Sequence, residues 1–291
     1  MAGSKRGRRS LNAPEVGLGP YVLRFDEPRV MGILNCTPDS FSGDGLGDDA
    51  DLARRRGRKM FAEGADVVDV GGESTRPGAS PVPVEIEIGR IVPVIRSLSE
   101  HKPGRVSVDT MKATVAKRAL EAGATIVNDV SGLRSPSMIK VVAEHDAASI
   151  IMHMRGTPRT MQKSPRYKDV VEDIIGFLES RISNAESGGV NPRKIMVDPG
   201  IGFGKTLEHN LEIIARLREF KVLGKPVVIG VSRKSFIGKL TGDRAGDRLE
   251  GSLAAAILAV KEGADMVRVH DVEETVRALR VSSAIHSQIR R

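Results

Sequence analysis

Asp109, Asn128 and Asp198 each close a short apolar run: Val106–Val108, Ile126–Val127 and Ile195–Val197. Two carboxylates and an amide delivered to similar depth can pair with a planar heterocycle that offers several N–H donors, as an aminopyrimidinone edge does. Arg76, Lys234, Arg268 and His270 stand near comparable positions and could hold phosphate or diphosphate. Asn35 and Asp39 supply hard oxygen donors of the kind Mg2+ accepts beside a diphosphate. A heterocycle below and an anionic leaving group above suggest group transfer with departure of diphosphate.

The elements that must carry these residues are legible as an alternation. The apolar runs are Val30–Leu34, Val67–Val70, Val106–Val108, Ile126–Val127, Ser149–Met152, Ile195–Val197, Val227–Ile229 and Met266–Val269. They are short, rich in Val and Ile, and apolar without alternation, as parallel strands covered on both faces are. Helical spacing lies between them, in Val170, Val171, Ile174, Ile175, Leu178 and Ile182. Leu211, Ile214 and Leu217, and Leu253, Ala256, Ile257 and Val260, read the same way. Glu63-Gly64-Ala65, Glu121-Ala122-Gly123-Ala124 and Glu262-Gly263-Ala264 echo one helix end, a C-terminal Gly turning into the next strand.

Eight such units suit a (β/α)8 TIM barrel, an α/β fold; a doubly wound open sheet is the structural alternative. In a barrel the strand ends form one active face. Those ends are Asn35, Asp69, Asp109-Thr110, Asn128-Asp129, His153, Asp198, Ser232-Arg233-Lys234-Ser235 and Arg268-Val269-His270-Asp271. An N-cap role explains any one Asp or Asn. It does not explain why all eight ends are polar. The expected organisation is a flexible basic tail over residues 1–20 and a single barrel domain over 21–291.

Composition narrows the class. The chain has 291 residues and a formal net charge of +8, with 40 % hydrophobic residues, enough for a sizeable core. The first ten residues carry four positive charges and no acid, and Arg290 and Arg291 add two more, which leaves the body nearly neutral at a net +2. Seven Phe, two Tyr and no Trp argue against a base-stacking platform, and no nucleic acid partner is expected. No apolar run nears the roughly 18 residues of a membrane span, and the basic N-terminus lacks the apolar segment of a secretory signal. The lone Cys36 excludes an intramolecular disulfide framework and points to a reducing cytoplasm. It reads as a small filler, with no base specified beside it. The segment Pro199–Thr206 resembles a P-loop but has Pro199 in place of the first required Gly, and the six His show no zinc spacing.

The segments Met31–Ser42 and Gly64–Gly78 resemble the two signatures of dihydropteroate synthases, and Asp198–Lys205, Ser232–Ser235 and Arg268–His270 look like the family's later motifs. Where the family usually reads Ser-Asp-Gly-Gly, this chain has Ser42-Gly43-Asp44-Gly45. The resemblance implies a TIM barrel that joins 4-aminobenzoate to a dihydropterin methyl diphosphate in folate synthesis, with Mg2+ as cofactor, sulfonamides as inhibitors and a homodimeric state. By position it implies that Thr75, Asp109, Asn128, Asp198, Lys234, Arg268 and His270 hold the pterin diphosphate, with Asp109, Lys234, Arg268 and His270 catalytic. Phe41, Thr75, Pro77, Lys234 and Ser235 would line the 4-aminobenzoate pocket, Asp39, Ser40 and Arg76 would be further loop or diphosphate contacts, and Asn35 would hold the metal. Two other readings stand beside this one. One is a pterin-binding barrel like the methyltetrahydrofolate:corrinoid methyltransferases, which would have no use for the Thr-Pro-Asp-Ser-Phe loop. The other is an RNA-binding protein that uses its basic tail.

Overall fold

The computed structural model describes residues 14–37, 50–74, 80–157, 160–162 and 165–289. All eight anticipated runs are parallel strands: β3 (Arg29–Asn35), β4 (Val67–Gly71), β5 (Val106–Asp109), β6 (Ile126–Asp129), β7 (Ala148–Met152), β8 (Ile195–Asp198), β9 (Val228–Ile229) and β10 (Met266–Val269). Their order is β8-β7-β6-β5-β4-β3-β10-β9. A parallel bridge between Val197 and Val227 joins the two ends, where the Val197 amide donates to the Pro226 carbonyl at 3.0 Å. The sheet is therefore a closed barrel, and the open-sheet alternative falls.

Side-chain alternation sorts each strand into two cores. Val30, Val68, Val70, Val106, Val108, Val127 and Val267 face outward and pack against the helices. Met31, Val67, Ile126, Ile150, Met196 and Met266 face inward and form a separate cluster in the barrel's lower half. Asp69, Asp109, Asn128, Asp198 and Arg268 share the inward parity of those residues, one or two steps further along their strands. The same period of two that fills the floor with methionine and branched residues thus raises polar groups toward the other end.

The floor is closed by a segment expected to be a flexible tail. Residues 15–18 form β1 (Glu15–Leu18), which pairs antiparallel with β2 (Tyr21–Arg24). Val16, Leu18, Leu23 and Phe25 are buried against the inward cluster. The expected tail therefore extends at most to Pro14; the alternation of Val16 and Leu18 was the missed strand signal. The remainder of that stretch, residues 1–13, lies outside the described residues.

Outside run α1 (Ala50–Glu63), α2 (Val84–His101), α3 (Ala113–Glu121), α4 (Pro136–Glu144), α5 (Val170–Ser187), α6 (Leu207–Ala215), α7 (Ser235–Thr241), α8 (Leu249–Lys261) and α9 (Val272–Ile289). The α5 stripe is buried as its spacing predicts except for half-buried Ile175, and Asp169 caps the helix by accepting from the Val171 and Glu172 amides. Gly64, Gly123 and Gly263 have φ of +108°, +106° and +112°, so the three sequence echoes are one left-handed helix stop used three times. Two stripes are corrected. In α6 the buried residues are Asn210, Ile213 and Ile214, and Leu211 is exposed. In α8 small residues, Ser252, Ala255, Ala256 and Ala259, face the barrel, and Leu253, Ile257 and Val260 are only half-buried. Small side chains let that helix approach the strands closely, and its larger ones turn sideways.

Candidate active site

Asp69 sits at the centre of the polar cluster and is fully buried. Its Oδ2 accepts from Asn128 Nδ2 at 2.9 Å and from Arg268 Nε at 2.7 Å. Arg268 Nη2 also donates to Asp109 Oδ2 at 2.7 Å. One guanidinium therefore bridges two carboxylates on separate strands, a geometry its planar fork permits and a lysine could not reproduce. Among the described residues the buried Asp69 Oδ1 and Asp109 Oδ1 have no hydrogen-bond partner, so each offers an acceptor face for a donor group. Burial pushes the Asp109 carboxyl up to about 7, against the pull of Arg268.

Asp198 stands across the barrel. Its Oδ1 accepts from the Gly200 amide at 2.7 Å, and burial raises its pKa. Lys234 reaches over the mouth with Nζ 4.4 Å from the centre of the Phe203 ring. Burial and Arg268 bring its ammonium down to about 8. Ser232 Oγ accepts from the His270 amide at 3.2 Å and lies 3.1 Å from His270 Nδ1. With the hydroxyl donating to Nδ1, the imidazole presents its Nε2 proton outward. Burial and Arg268 lower His270 to about 3, so at neutral pH it is an uncharged donor.

Asn35 ends β3 and is half-buried. The point where a side chain on Gly71 would begin lies 3.8 Å from Asn35 Oδ1 and 3.5 Å from Asp109 Cβ, so the two flank one gap. Among the described residues no group of three or more His, Cys, Asp or Glu could hold a metal. That donor set fits an ion that takes one or two protein oxygens and completes its shell with phosphate and water, which is the habit of Mg2+.

Of the residues singled out from sequence, Asp109, Asn128, Asp198, Lys234 and Arg268 converge, His270 joins them beside Ser232, Asn35 is at the same mouth, and Ser235 is exposed at the start of α7. Asp39, Ser40, Phe41, Thr75, Arg76 and Pro77 lie outside the described residues. Cys36 is buried and its thiol pushed up to about 12, which agrees with a filler. Asp129 accepts from the Ser131 and Leu133 amides and serves its own loop. Sequence reasoning named Asp69 as a strand end yet left it out of the site; counting back by two from Gly71 would have turned it inward. It also missed Lys112, whose ammonium donates to Glu73, the Val82 carbonyl and buried Glu87, tying both flanks of the loop after β4 to the end of β5.

Residues 31–270 match the family model described as pterin binding enzyme. The chain is 44 % identical over 262 residues to the dihydropteroate synthase of Escherichia coli K12, covering 90 % of this chain and 93 % of that protein. The chain belongs to the dihydropteroate synthase family. Solved members superpose closely. That of Xanthomonas albilineans with 4-aminobenzoic acid gives a TM-score of 0.89 at 44 % identity, covering 94 % of this chain and 99 % of that one. The same enzyme in complex with 7,8-dihydropteroate gives 0.85 at 42 % identity, with the same coverage of both chains. The Yersinia pestis enzyme in complex with a sulfonamide drug gives 0.90 at 40 % identity, covering 94 % and 99 %.

Proposed function

We propose that this chain condenses (7,8-dihydropterin-6-yl)methyl diphosphate with 4-aminobenzoate, giving 7,8-dihydropteroate and diphosphate. It is an enzyme, a transferase of folate biosynthesis. The observation that carries this reading is full-length kinship: the match spans 93 % of a curated dihydropteroate synthase, and the inward polar cluster lies within it.

In this reading Asp109, Asn128 and Asp198 hold the heterocycle. The free Asp109 oxygen and Asp198 Oδ2 accept ring and amino N–H groups, and Asp69 keeps Asn128 and Arg268 in place. Lys234, Arg268 and the His270 Nε2 proton face the diphosphate and take up the charge that develops as it leaves. The aryl amine attacks the exocyclic methylene carbon as the carbon–oxygen bond to diphosphate breaks, and the proton it sheds goes to water or to the departing diphosphate. An aryl amine is already neutral, so no strong base is required, which agrees with the inert Cys36. Thr75, with Asp39, Ser40 and Arg76, complete the pterin diphosphate site in this proposal, and Phe41, Thr75, Pro77, Lys234 and Ser235 form the 4-aminobenzoate pocket. Asn35 would hold Mg2+, which supplies charge neutralisation for the diphosphate.

A homodimer and a cytosolic location belong to the same proposal. Leu211, Leu240, Leu258, Val281 and Ile285 are exposed on α6, α7, α8 and α9, helices that neighbour one another on one side of the barrel. Among the described residues no helix is long and apolar enough to cross a membrane.

Incubating the purified protein with the dihydropterin diphosphate, 4-aminobenzoate and Mg2+ tests the reaction. Release of diphosphate that depends on both organic substrates is expected; diphosphate release without dihydropteroate would refute it.

A further inference from the structure

Lys205 ends the glycine-rich run that failed as a P-loop, and the chemistry above gives it no task. It is nonetheless only 3 % exposed. Its ammonium donates to the Phe203 carbonyl at 3.0 Å and to His153 Nδ1 at 2.9 Å. Both partners lead to the site. The Phe203 ring carries Lys234 Nζ at 4.4 Å. The His153 amide donates to the Asp198 carbonyl at 2.9 Å.

The two partners are themselves fixed. The His153 ring packs edge-on against Phe177, with centroids 4.9 Å apart. Gly200 lies so close that a Cβ there would stand 1.9 Å from the His153 carbonyl oxygen. Tyr167 Oη donates to the Gly204 carbonyl at 2.7 Å, one residue from Lys205. Burial and nearby cations keep the imidazole of His153 neutral, so its Nδ1 lone pair can accept the lysine proton.

We infer that Lys205 is a positioning residue for the pterin substrate: by clipping Phe203 to His153 it sets where Lys234 and Asp198 meet the heterocycle. The inference rests on the function proposed above. A lysine that only filled space would not need two directed hydrogen bonds, each one step from a substrate-facing side chain. The 4-aminobenzoate pocket proposed above shares Lys234 with the clipped region but otherwise draws on Phe41, Thr75, Pro77 and Ser235, so loss of the clip weighs more on the pterin than on 4-aminobenzoate.

Steady-state kinetics of the full chain with Mg2+ test this in Lys205→Met, His153→Phe and the double variant, with each substrate varied at saturation of the other. His153→Phe keeps an aromatic ring against Phe177 and removes only the acceptor. In each single variant KM for the dihydropterin diphosphate should rise about tenfold, the scale of losing one buried hydrogen bond, and KM for 4-aminobenzoate should rise less. The double variant should be no worse than the poorer single, because both remove one contact. If melting shows Lys205→Met unfolded, His153→Phe decides alone. A pterin KM within about twofold of the parent, equal rises for both substrates, or additive losses overturn the inference. Active parent with unchanged variants sinks this inference only; a parent that makes no dihydropteroate sinks the functional proposal, and the inference with it.

Discussion

Arg268 Nη2 donates to Asp109 Oδ2 at 2.7 Å, across the barrel and between residues 159 positions apart in the chain. The same guanidinium holds Asp69 through Nε. A cation that the proposed function directs at diphosphate is thus held by two carboxylates, one of which the same proposal directs at the heterocycle.

Removing it should damage fold and function together. Arg268→Met leaves Asp69 and Asp109 buried without their cation, which costs about 3–5 kcal/mol in comparable pairs. Urea unfolding should show that loss. Turnover should fall by roughly a hundredfold or more, the scale of losing one preorganised charge-stabilising donor. Arg268→Lys keeps the charge but cannot reach both acids at once, so it should recover part of the stability and little of the rate. Equal activity of Arg268→Lys and the parent would contradict the bridging role.

The pH dependence follows from two groups displaced in opposite directions. Burial raises Asp109 to about 7, so its acceptor form is gained as pH rises through that value. Burial lowers Lys234 to about 8, so its cation is lost as pH rises through that value. The profile of kcat/KM for the dihydropterin diphosphate should therefore climb to about 7 and decline above about 8. Lys234→Arg should extend the alkaline limb, because a guanidinium does not titrate there. A flat profile between roughly pH 6 and 9.5 would count against both assignments.

Most of the architecture was readable because strand burial leaves a strong mark. Runs such as Val106–Val108 admit few other fates, and the Gly64, Gly123 and Gly263 stops repeat one geometry. Asp109, Asn128 and Asp198 were readable because a polar residue that ends such a run lies at the barrel's active end. Asp69 was read as a strand end but not as a site residue, because it is flanked by Val68 and Val70 and its inward direction depends on register. The Lys205–His153 contact escaped for another reason. It joins residues 52 apart, and sequence spacing says nothing about a pair brought together by two different strands. Barrel closure requires the first and last barrel strands, β3 and β10, to pair, and a contact such as Val30 with Val267 joins residues too far apart in the chain to leave a local mark.

Asp198 separates substrate contact from loop support. Its Oδ1 is engaged by the Gly200 amide, and the proposed function gives Oδ2 to the heterocycle. Asp198→Asn can still accept from Gly200 but presents a donor where the pterin offers donors. Asp198→Ala loses both contacts. Calorimetric titration with the dihydropterin diphosphate should show no measurable binding by Asp198→Ala and at least about tenfold weaker binding by Asp198→Asn. The melting temperature of Asp198→Asn should stay near that of the parent. Unchanged pterin affinity in Asp198→Ala would remove this residue from the site.

The hairpin under the barrel gives a stability test remote from the chemistry. Leu18 is 1 % exposed and packs with Leu23 and Phe25 on the inward cluster that includes Met31 and Met266. A terminal tail would tolerate its removal. A plug would not: Leu18→Ala leaves a cavity at a fully buried site and should cost about 2–5 kcal/mol. Leu18→Asp also buries an unpaired charge and should cost more. The catalytic groups lie at the opposite end of the strands, so KM for both substrates in folded Leu18→Ala should match the parent. Chemical denaturation followed by circular dichroism measures the first expectation and steady-state kinetics the second. A loss below about 0.5 kcal/mol, the size of an ordinary surface change, would return residues 15–18 to the status of a dispensable tail.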